Sequence, residues 1–169
     1  APSNLILNGS FEVGSAWPDS WSQDASAVWA SSGAQDGSRC LSVPTDIGGV
    51  LQGVDVIQGE SYSLSVWINA SGFTPAVGGL VVFDSSDDYD AGGQCQFVID
   101  VAADANGWTE FTGNFTATSS ATVNFRIFST AGAAGNVLID NIVLTGPSGG
   151  NIAPAFTSTP STSVDRDAP

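Results

Sequence analysis

Ser61-Tyr62-Ser63-Leu64-Ser65-Val66-Trp67-Ile68-Asn69 alternates polar and apolar side chains over its whole length. A period of two is typical of a β-strand that packs one face on a core and turns the other toward solvent. The four apolar side chains at the even positions form the predicted core face. Trp67 falls on the opposite face with the serines and Asn69, so this large aromatic side chain is predicted to point away from the core.

Similar short runs recur along the chain and are separated by turn signals such as Gln58-Gly59, Asn106-Gly107 and Gly92-Gly93. No stretch has the spacing of an amphipathic helix. Many short strands at regular intervals are typical of a β-sandwich or a barrel. The predicted strands cover residues 5–7, 27–30, 39–43, 49–56, 61–69, 79–84, 94–101, 109–116, 122–128 and 137–144.

The charge balance excludes several classes of partner. The chain has 169 residues and a net charge of −14, and its only basic residues are Arg39, Arg126 and Arg166. Nucleic acids bind clusters of Lys and Arg, so they are excluded, and anionic polysaccharides are disfavoured. No apolar run is long enough to span a membrane. The chain has no histidine, which removes the usual general base and rules out a Ser-His pair.

The two cysteines are Cys40 and Cys95. One disulfide in an exported protein fits a chain rich in Ser, Thr and Gly better than a redox or zinc site does. Two free buried thiols are the alternative. We therefore predict a Cys40–Cys95 disulfide and a secreted, extracellular protein.

Several ordered motifs resemble those of carbohydrate-binding modules of the family 4, 9, 16 and 22 group. The matching segments lie between residues 4 and 146, and they are Asn4-Leu5-Ile6-Leu7-Asn8-Gly9-Ser10-Phe11-Glu12, Trp17 or Trp21, Asp36-Gly37-Ser38, Gln52-Gly53-Val54, Gly59 through Ile68, Gly107-Trp108-Thr109-Glu110-Phe111 and Val137-Leu138-Ile139-Asp140-Asn141. The resemblance implies an all-β jelly roll, a sandwich of two antiparallel sheets, over residues 1–146. Residues 147–169 read as a linker followed by the truncated start of an immunoglobulin-like or cadherin-like domain.

The resemblance also implies a structural Ca²⁺ beside the first and last strands. Glu12 and Asp140 would supply carboxylates, with backbone carbonyls of Ser10, Ser38 and Asp140 as further ligands. The alternative is that Glu12 caps a turn and Asp140 accepts hydrogen bonds from backbone amides. A second acidic cluster at residues 84–93 is interpreted as a solvated loop, with a second Ca²⁺ site as the alternative.

Sugar rings present apolar C–H faces, so aromatic side chains ringed by polar groups are the expected binding surface. Trp67 is the leading candidate, and Arg126 is the only basic residue inside a predicted strand. The sequence reading places both on one concave sheet face. The alternatives are that Trp67 covers the convex sheet or a neighbouring module, and that Arg126 pairs with an aspartate. Trp21 and Trp108 are assigned to the core or its lid. The remaining ligand candidates are Asn124, Asn69, Gln96, Phe83 and Tyr89.

Three functions compete for this fold. The first is a noncatalytic carbohydrate-binding module, expected to be monomeric, that holds a covalently linked polysaccharide-degrading enzyme on a polysaccharide, with a neutral one favoured by the charge. The second is an enzyme, but no facing pair of carboxylates of the kind glycosidases use is apparent. The third is a structural spacer or adhesion module without sugar binding. The first is our prediction.

Overall fold

The computed structural model describes residues 3–22, 27–44, 50–71, 80–83, 97–99, 107–129 and 136–148, and for two short strands and most of a third it describes the backbone. These residues form strands and no helix. The strands are β1 Val28–Ala30, β2 Cys40–Pro44, β3 Val50–Val56, β4 Ser61–Asn69, β5 Leu80–Phe83, β6 Phe97–Ile99, β7 Trp108–Thr116, β8 Ala121–Ser129 and β9 Asn136–Thr145.

The strands form two antiparallel sheets. One has five strands in the order β1-β2-β9-β4-β7, and the other has four in the order β3-β8-β5-β6. Because β3 and β4 lie in different sheets, as do β7 and β8, the chain crosses repeatedly between the layers. This arrangement confirms the prediction of an all-β sandwich.

The core lies between the sheets and follows the alternation of the strands. Tyr62, Leu64, Val66 and Ile68 of β4 are all at most 2% exposed, which confirms the predicted core face. The partner strand β9 contributes four more buried aliphatic side chains: Val137, Ile139, Ile142 and Leu144. The pairing of β4 with β9 is irregular between Ser65 and Trp67, and Asn141 there has a φ of 48°. This irregularity lies next to Asp140.

The prediction of a strand at residues 5–7 is wrong. Side chains rather than a strand ladder hold this segment. The Asn4 carboxamide donates to the Ile142 carbonyl and accepts from the amides of Ile6 and Leu144, at 2.9–3.0 Å. Gln52 of β3 binds both the amide and the carbonyl of Leu7. The other nine predicted runs each contain an observed strand.

The first residues of the domain attach directly to its last strand. The Leu5 amide donates to the Leu144 carbonyl at 2.8 Å, and the Ile142 amide donates to the Gly9 carbonyl at 2.9 Å. A side chain on Gly9 would overlap the Ile142 carbonyl, so this close approach requires glycine. The two ends of the domain are therefore joined by backbone hydrogen bonds.

Cys40 is a free, fully buried cysteine in the structure, so the predicted disulfide with Cys95 is not supported. Cys40 lies at the start of β2, and its thiol donates a weak hydrogen bond to the Ser32 carbonyl oxygen at 3.9 Å. A free, buried cysteine of this kind packs as a small apolar side chain. Cys95 lies outside the described residues, as do Tyr89, Gln96 and the acidic loop 84–93. Only residues 147 and 148 of the predicted linker are described. In the described part of the chain, no helix has the length and apolar character needed to cross a membrane.

Candidate functional site

Glu12, from the opening motif, binds the loop that joins β1 to β2 (residues 31–39, here the β1–β2 loop). Its Oε1 accepts hydrogen bonds from the amides of Ser38 and Arg39, and its Oε2 accepts one from the Ser38 hydroxyl, each at 2.8 Å. Gly37 has a φ of 69°, and a Cβ there would overlap the Glu12 carboxylate. Only glycine fits this turn without strain.

Asp140 of β9 binds the same loop from the other side. Its Oδ2 accepts hydrogen bonds from the amides of Gln35 at 2.9 Å and Asp36 at 3.3 Å, and its Oδ1 accepts one from the Asn141 amide at 2.8 Å. The side chain is fully buried because the β1–β2 loop covers it. Both carboxylates therefore hold one loop through its backbone amides, as the alternative to a metal site anticipated.

The backbone conformation of Phe11 orients the neighbouring Glu12 side chain toward the β1–β2 loop. Phe11 has a φ of 56°, unusual for a bulky residue, and is fully buried with its ring 5.3 Å from that of Trp21. The Trp29 indole donates to the Phe11 carbonyl at 2.8 Å, and the Arg39 guanidinium lies 4.2 Å from the centre of the Trp29 ring. This packing holds a strained backbone in the conformation that turns the Glu12 carboxylate toward the loop.

The protein shifts the pKa values of the two carboxylates in opposite directions. Burial disfavours the charge of Glu12, but the amides of Arg39 and Ser38, the Ser38 hydroxyl and the Arg39 guanidinium together lower its pKa. Burial raises the pKa of Asp140 despite its three backbone hydrogen bonds, and the nearby negative charge of Glu12 raises it further. The negative charge of Glu12 is thus the smallest of the effects on the pKa of Asp140.

The donor set fits a hard cation. A carboxylate offers about four lone-pair positions. Donors among the described residues occupy three of these lone-pair positions on Glu12 and three on Asp140. One lone-pair position therefore remains on each carboxylate. Two carboxylate oxygens plus backbone carbonyls are ligands that Ca²⁺ accepts. No group of three or more acidic or sulfur side chains converges within the described ranges, so carbonyls and water would complete the shell.

The prediction that Trp67 and Arg126 share one sheet face is wrong. Trp67 lies on β4 in the five-stranded sheet, and Arg126 lies on β8 in the four-stranded sheet. Alternation within a strand assigns a side chain to one side of that strand, but it carries no information about which sheet the strand joins. Asn69 accompanies Trp67, whereas Asn124 and Phe83 belong to the other sheet.

The outer face of the five-stranded sheet is partly covered. Trp67 lies opposite Asp140 on one side and Glu110 on the other. The β1–β2 loop covers Asp140, whereas Glu110 is exposed. Trp108, opposite Asn69, donates its indole N–H to the Gly33 carbonyl of that loop at 3.1 Å. Trp108 is thus half-buried and anchors the loop from the outside, whereas Trp21 belongs to the core as predicted.

The four-stranded sheet presents a continuous register row. Leu51, Gly53 and Asp55 of β3 pair with Arg126, Asn124 and Thr122 of β8. Gly53, Asp55 and Thr122 are exposed, and the Thr122 hydroxyl donates to Asp55 at 2.5 Å. The row continues along β8 to Phe128, which pairs with Val81 of β5. A glycine inside a strand often marks a place where a ligand approaches closely.

Phe128 was missed as a candidate. Strand alternation puts it in the same set of positions as Asn124 and Arg126, but a single phenylalanine in an apolar run carries no signal of a binding role. Only strand pairing associates it with the other candidates: β8 places Asn124 opposite Gly53 and Thr122 opposite Asp55, and Phe128 follows on the same strand.

The fold and sequence match known carbohydrate-binding domains. Residues 3–134 match the family CBM_4_9, described as a carbohydrate binding domain. No curated protein matches the chain. The family match favours sugar binding over a spacer role, and a noncatalytic module over an enzyme.

Many solved structures share the fold, among them the following three. Family 16 Carbohydrate Binding Module-2 is 24% identical, with a TM-score of 0.63 over 84% of this chain and 99% of that one. The arabinose-bound α-L-arabinofuranosidase MgGH51 is 18% identical, with a TM-score of 0.62 over 85% of this chain but only 26% of the enzyme. The CBM22-1 xylan-binding domain of Xyn10C from Paenibacillus barcinonensis is 15% identical, with a TM-score of 0.53 over 86% and 96%. At these identities the likeness shows the fold alone. The match over residues 3–134 shows that this chain belongs to the CBM_4_9 family of carbohydrate binding domains.

Proposed function

We propose that this domain binds a neutral polysaccharide and thereby holds a covalently attached, extracellular polysaccharide-degrading enzyme on its substrate. The family match supports the binding role. The net charge of −14 supports a neutral ligand, because an anionic chain would be repelled. Xylan, β-glucan, mannan and galactan are the neutral polysaccharides to test, with xylan first because the Paenibacillus neighbour is named for it.

We assign the principal binding surface to the outer face of the four-stranded sheet. The observation that carries this assignment is the register row of exposed Gly53, Asp55 and Thr122, which continues through Asn124, Arg126 and Phe128. A guanidinium donates a fork of hydrogen bonds that suits adjacent sugar hydroxyls. By contrast, the protein's own loop covers part of the other outer face.

Titration calorimetry with xylohexaose, cellohexaose, mannohexaose and β-1,4-galactotriose tests this surface. Arg126→Ala is expected to weaken binding about tenfold or more, as loss of a charged hydrogen-bond donor does. Arg39→Ala is the matched control, because it removes the same charge from a residue stacked on Trp29 in the β1–β2 loop. Equal affinities for wild type, Arg126→Ala and Arg39→Ala would exclude this surface.

We also propose that Glu12 and Asp140, with the carbonyls of Ser10 and Ser38, hold a structural Ca²⁺. The proposal is supported by the free lone-pair position of each carboxylate among the described donors, and by the repulsion that the Glu12 charge exerts on Asp140. The ion would neutralise that repulsion and strengthen the attachment of the first residues and β9 to the β1–β2 loop.

A further inference from the structure

Trp67 differs from the other four tryptophans in its hydrogen bonding. The indole N–H groups of the other four donate to backbone carbonyls of nearby loops, at 2.8–3.1 Å. Trp67 is half-buried, and no residue in the described part of the chain accepts a hydrogen bond from its indole. A half-buried indole N–H usually donates to an acceptor. Because the described residues supply none here, we infer that water or a ligand accepts this hydrogen bond.

Glu110 provides an oriented carboxylate beside this indole. It lies directly opposite Trp67 on β7, which is an edge strand, and is exposed. Its Oε1 accepts a hydrogen bond from the Ser65 hydroxyl at 2.6 Å. Its Oε2 has no donor among the residues that the structure describes. Since Ser65 fixes one oxygen, the other is held ready to accept hydrogen bonds.

The surface around Trp67 and Glu110 is uneven, because a loop covers one side of it. On the β9 side of Trp67, the β1–β2 loop rises above Asp140. Along β4 and β7, toward the start of β4, the same face continues as exposed polar pairs: Ser63 with Asn114 at 2.6 Å, and Ser61 with Thr116 at 3.2 Å. An aromatic ring thus lies between a raised loop and a polar surface.

We propose that Trp67, Glu110 and Ser65 form a second carbohydrate subsite, separate from the principal surface and on the opposite face of the sandwich. It would take one pyranose unit of a neutral polysaccharide. The apolar C–H face of the sugar would pack on the indole, and two adjacent hydroxyls would donate to Glu110 Oε2. The Trp67 N–H would donate to a sugar oxygen. A uronic acid is excluded, because its carboxylate would meet Glu110 across the site.

The subsite rests on the proposed function, since it needs a sugar-binding domain, but not on the principal surface. With two faces, one domain can contact two chains of an insoluble polysaccharide. Linked binding events of this kind raise the overall affinity for a solid far above that for a single soluble chain.

Proton–nitrogen NMR of the indole N–H signals tests the subsite, with the same four oligosaccharides as probes. Trp67→Phe identifies the Trp67 signal by its loss. We expect this signal to move on titration, and Glu110→Gln to weaken the affinity that it reports by about tenfold. The carboxamide oxygen of that variant can still accept from Ser65, so the fold is retained. Glu60→Gln is the matched control, because Glu60 is an exposed glutamate at the turn before β4.

Each result bears on the proposal in a defined way. A Trp67 signal that moves in wild type and in Arg126→Ala, with weaker affinity only in Glu110→Gln, supports the subsite. If the Trp67 signal keeps its chemical shift while Arg126-dependent binding is still measured, the subsite is overturned and the proposed function stands. If calorimetry and NMR detect no binding of any probe, both are overturned. Equal weakening by Glu60→Gln and Glu110→Gln also overturns the subsite.

Discussion

Gly37 allows the Glu12 carboxylate to reach the amides of the β1–β2 loop. Its φ of 69° and the space taken by Glu12 both exclude a side chain. We expect Gly37→Ala to lower the free energy of unfolding by about 2–4 kcal/mol, because backbone strain and displacement of a hydrogen-bonded carboxylate add. Urea unfolding monitored by tryptophan fluorescence measures this.

Gly59 offers the matched control. It has a φ of 83°, and a Cβ there would meet nothing within 4 Å. Gly59→Ala should therefore cost only the conformational part, about 1 kcal/mol. If the two alanine variants lose the same stability, the contact of Gly37 with Glu12 contributes nothing.

Cys40 is expected to be chemically inert in the folded protein. Its side chain is fully buried, and burial together with the charges of Asp140 and Glu12 raises its pKa to about 11. The thiolate is the reactive form, so both access and ionisation are unfavourable. Iodoacetamide labelling followed by peptide mass spectrometry should modify Cys40 only after addition of denaturant. Rapid labelling of Cys40 in the native protein would contradict its burial.

Single residues also mark the limit of sequence reasoning. Alternation correctly placed Trp67 away from the core, because the period of β4 is regular. It could not reveal that Arg126 lies in the other sheet, because sheet membership depends on pairing between distant strands. It also gave no sign that Asp140, on a solvent-side row, is buried by a loop more than a hundred residues earlier in the chain.

At the scale of elements, β4 connects three parts of the domain through Tyr62. The fully buried Tyr62 hydroxyl accepts from the Ile57 amide at 2.8 Å and donates to the Pro147 carbonyl at 3.1 Å, and its ring stacks on Phe115 at 5.1 Å. Tyr62→Phe keeps the stacking and leaves the two backbone groups without this partner. We expect a loss of about 1–3 kcal/mol in the free energy of unfolding.

Ser61→Ala is the control for that measurement. Ser61 precedes Tyr62 on the same strand, and among the described residues its exposed hydroxyl pairs with Thr116 alone, at 3.2 Å. An exposed substitution of this kind should change stability by no more than about 0.5 kcal/mol. A Tyr62→Phe midpoint equal to that of wild type would show that solvent replaces both hydrogen bonds without cost.

Nine of the ten predicted runs contain strands. In β4 and β7, where the burial of every side chain is described, exposure alternates along the strand, and this period of two is visible in the sequence. The exception, residues 5–7, has the apolar composition of a strand. Its amides, however, are bound by Asn4, Gln52 and the Leu144 carbonyl. Side-chain partners of this kind replace a ladder of backbone bonds, and they depend on residues far away in sequence.

For the whole molecule, the proposed Ca²⁺ would act on stability, because it joins the first residues to β9 through the β1–β2 loop. An ion at a hundred times its dissociation constant adds about 2.7 kcal/mol. EDTA should therefore lower the melting temperature by several degrees, and Ca²⁺ should restore it. Mg²⁺, which demands a tighter octahedral shell, should not. Glu12→Gln should abolish the response, and identical melting curves with EDTA and with Ca²⁺ would contradict the proposed site.

The central claim is that the whole domain binds a neutral polysaccharide through the row that contains Arg126. Affinity electrophoresis of wild type and Arg126→Ala tests it most directly, in native gels containing soluble xylan, β-glucan, mannan or galactan, with alginate as the anionic comparison. We predict that at least one neutral polysaccharide retards the wild type, that alginate does not, and that the same polysaccharide retards Arg126→Ala much less than the wild type. Unchanged migration of the wild type in all four neutral gels would contradict the account.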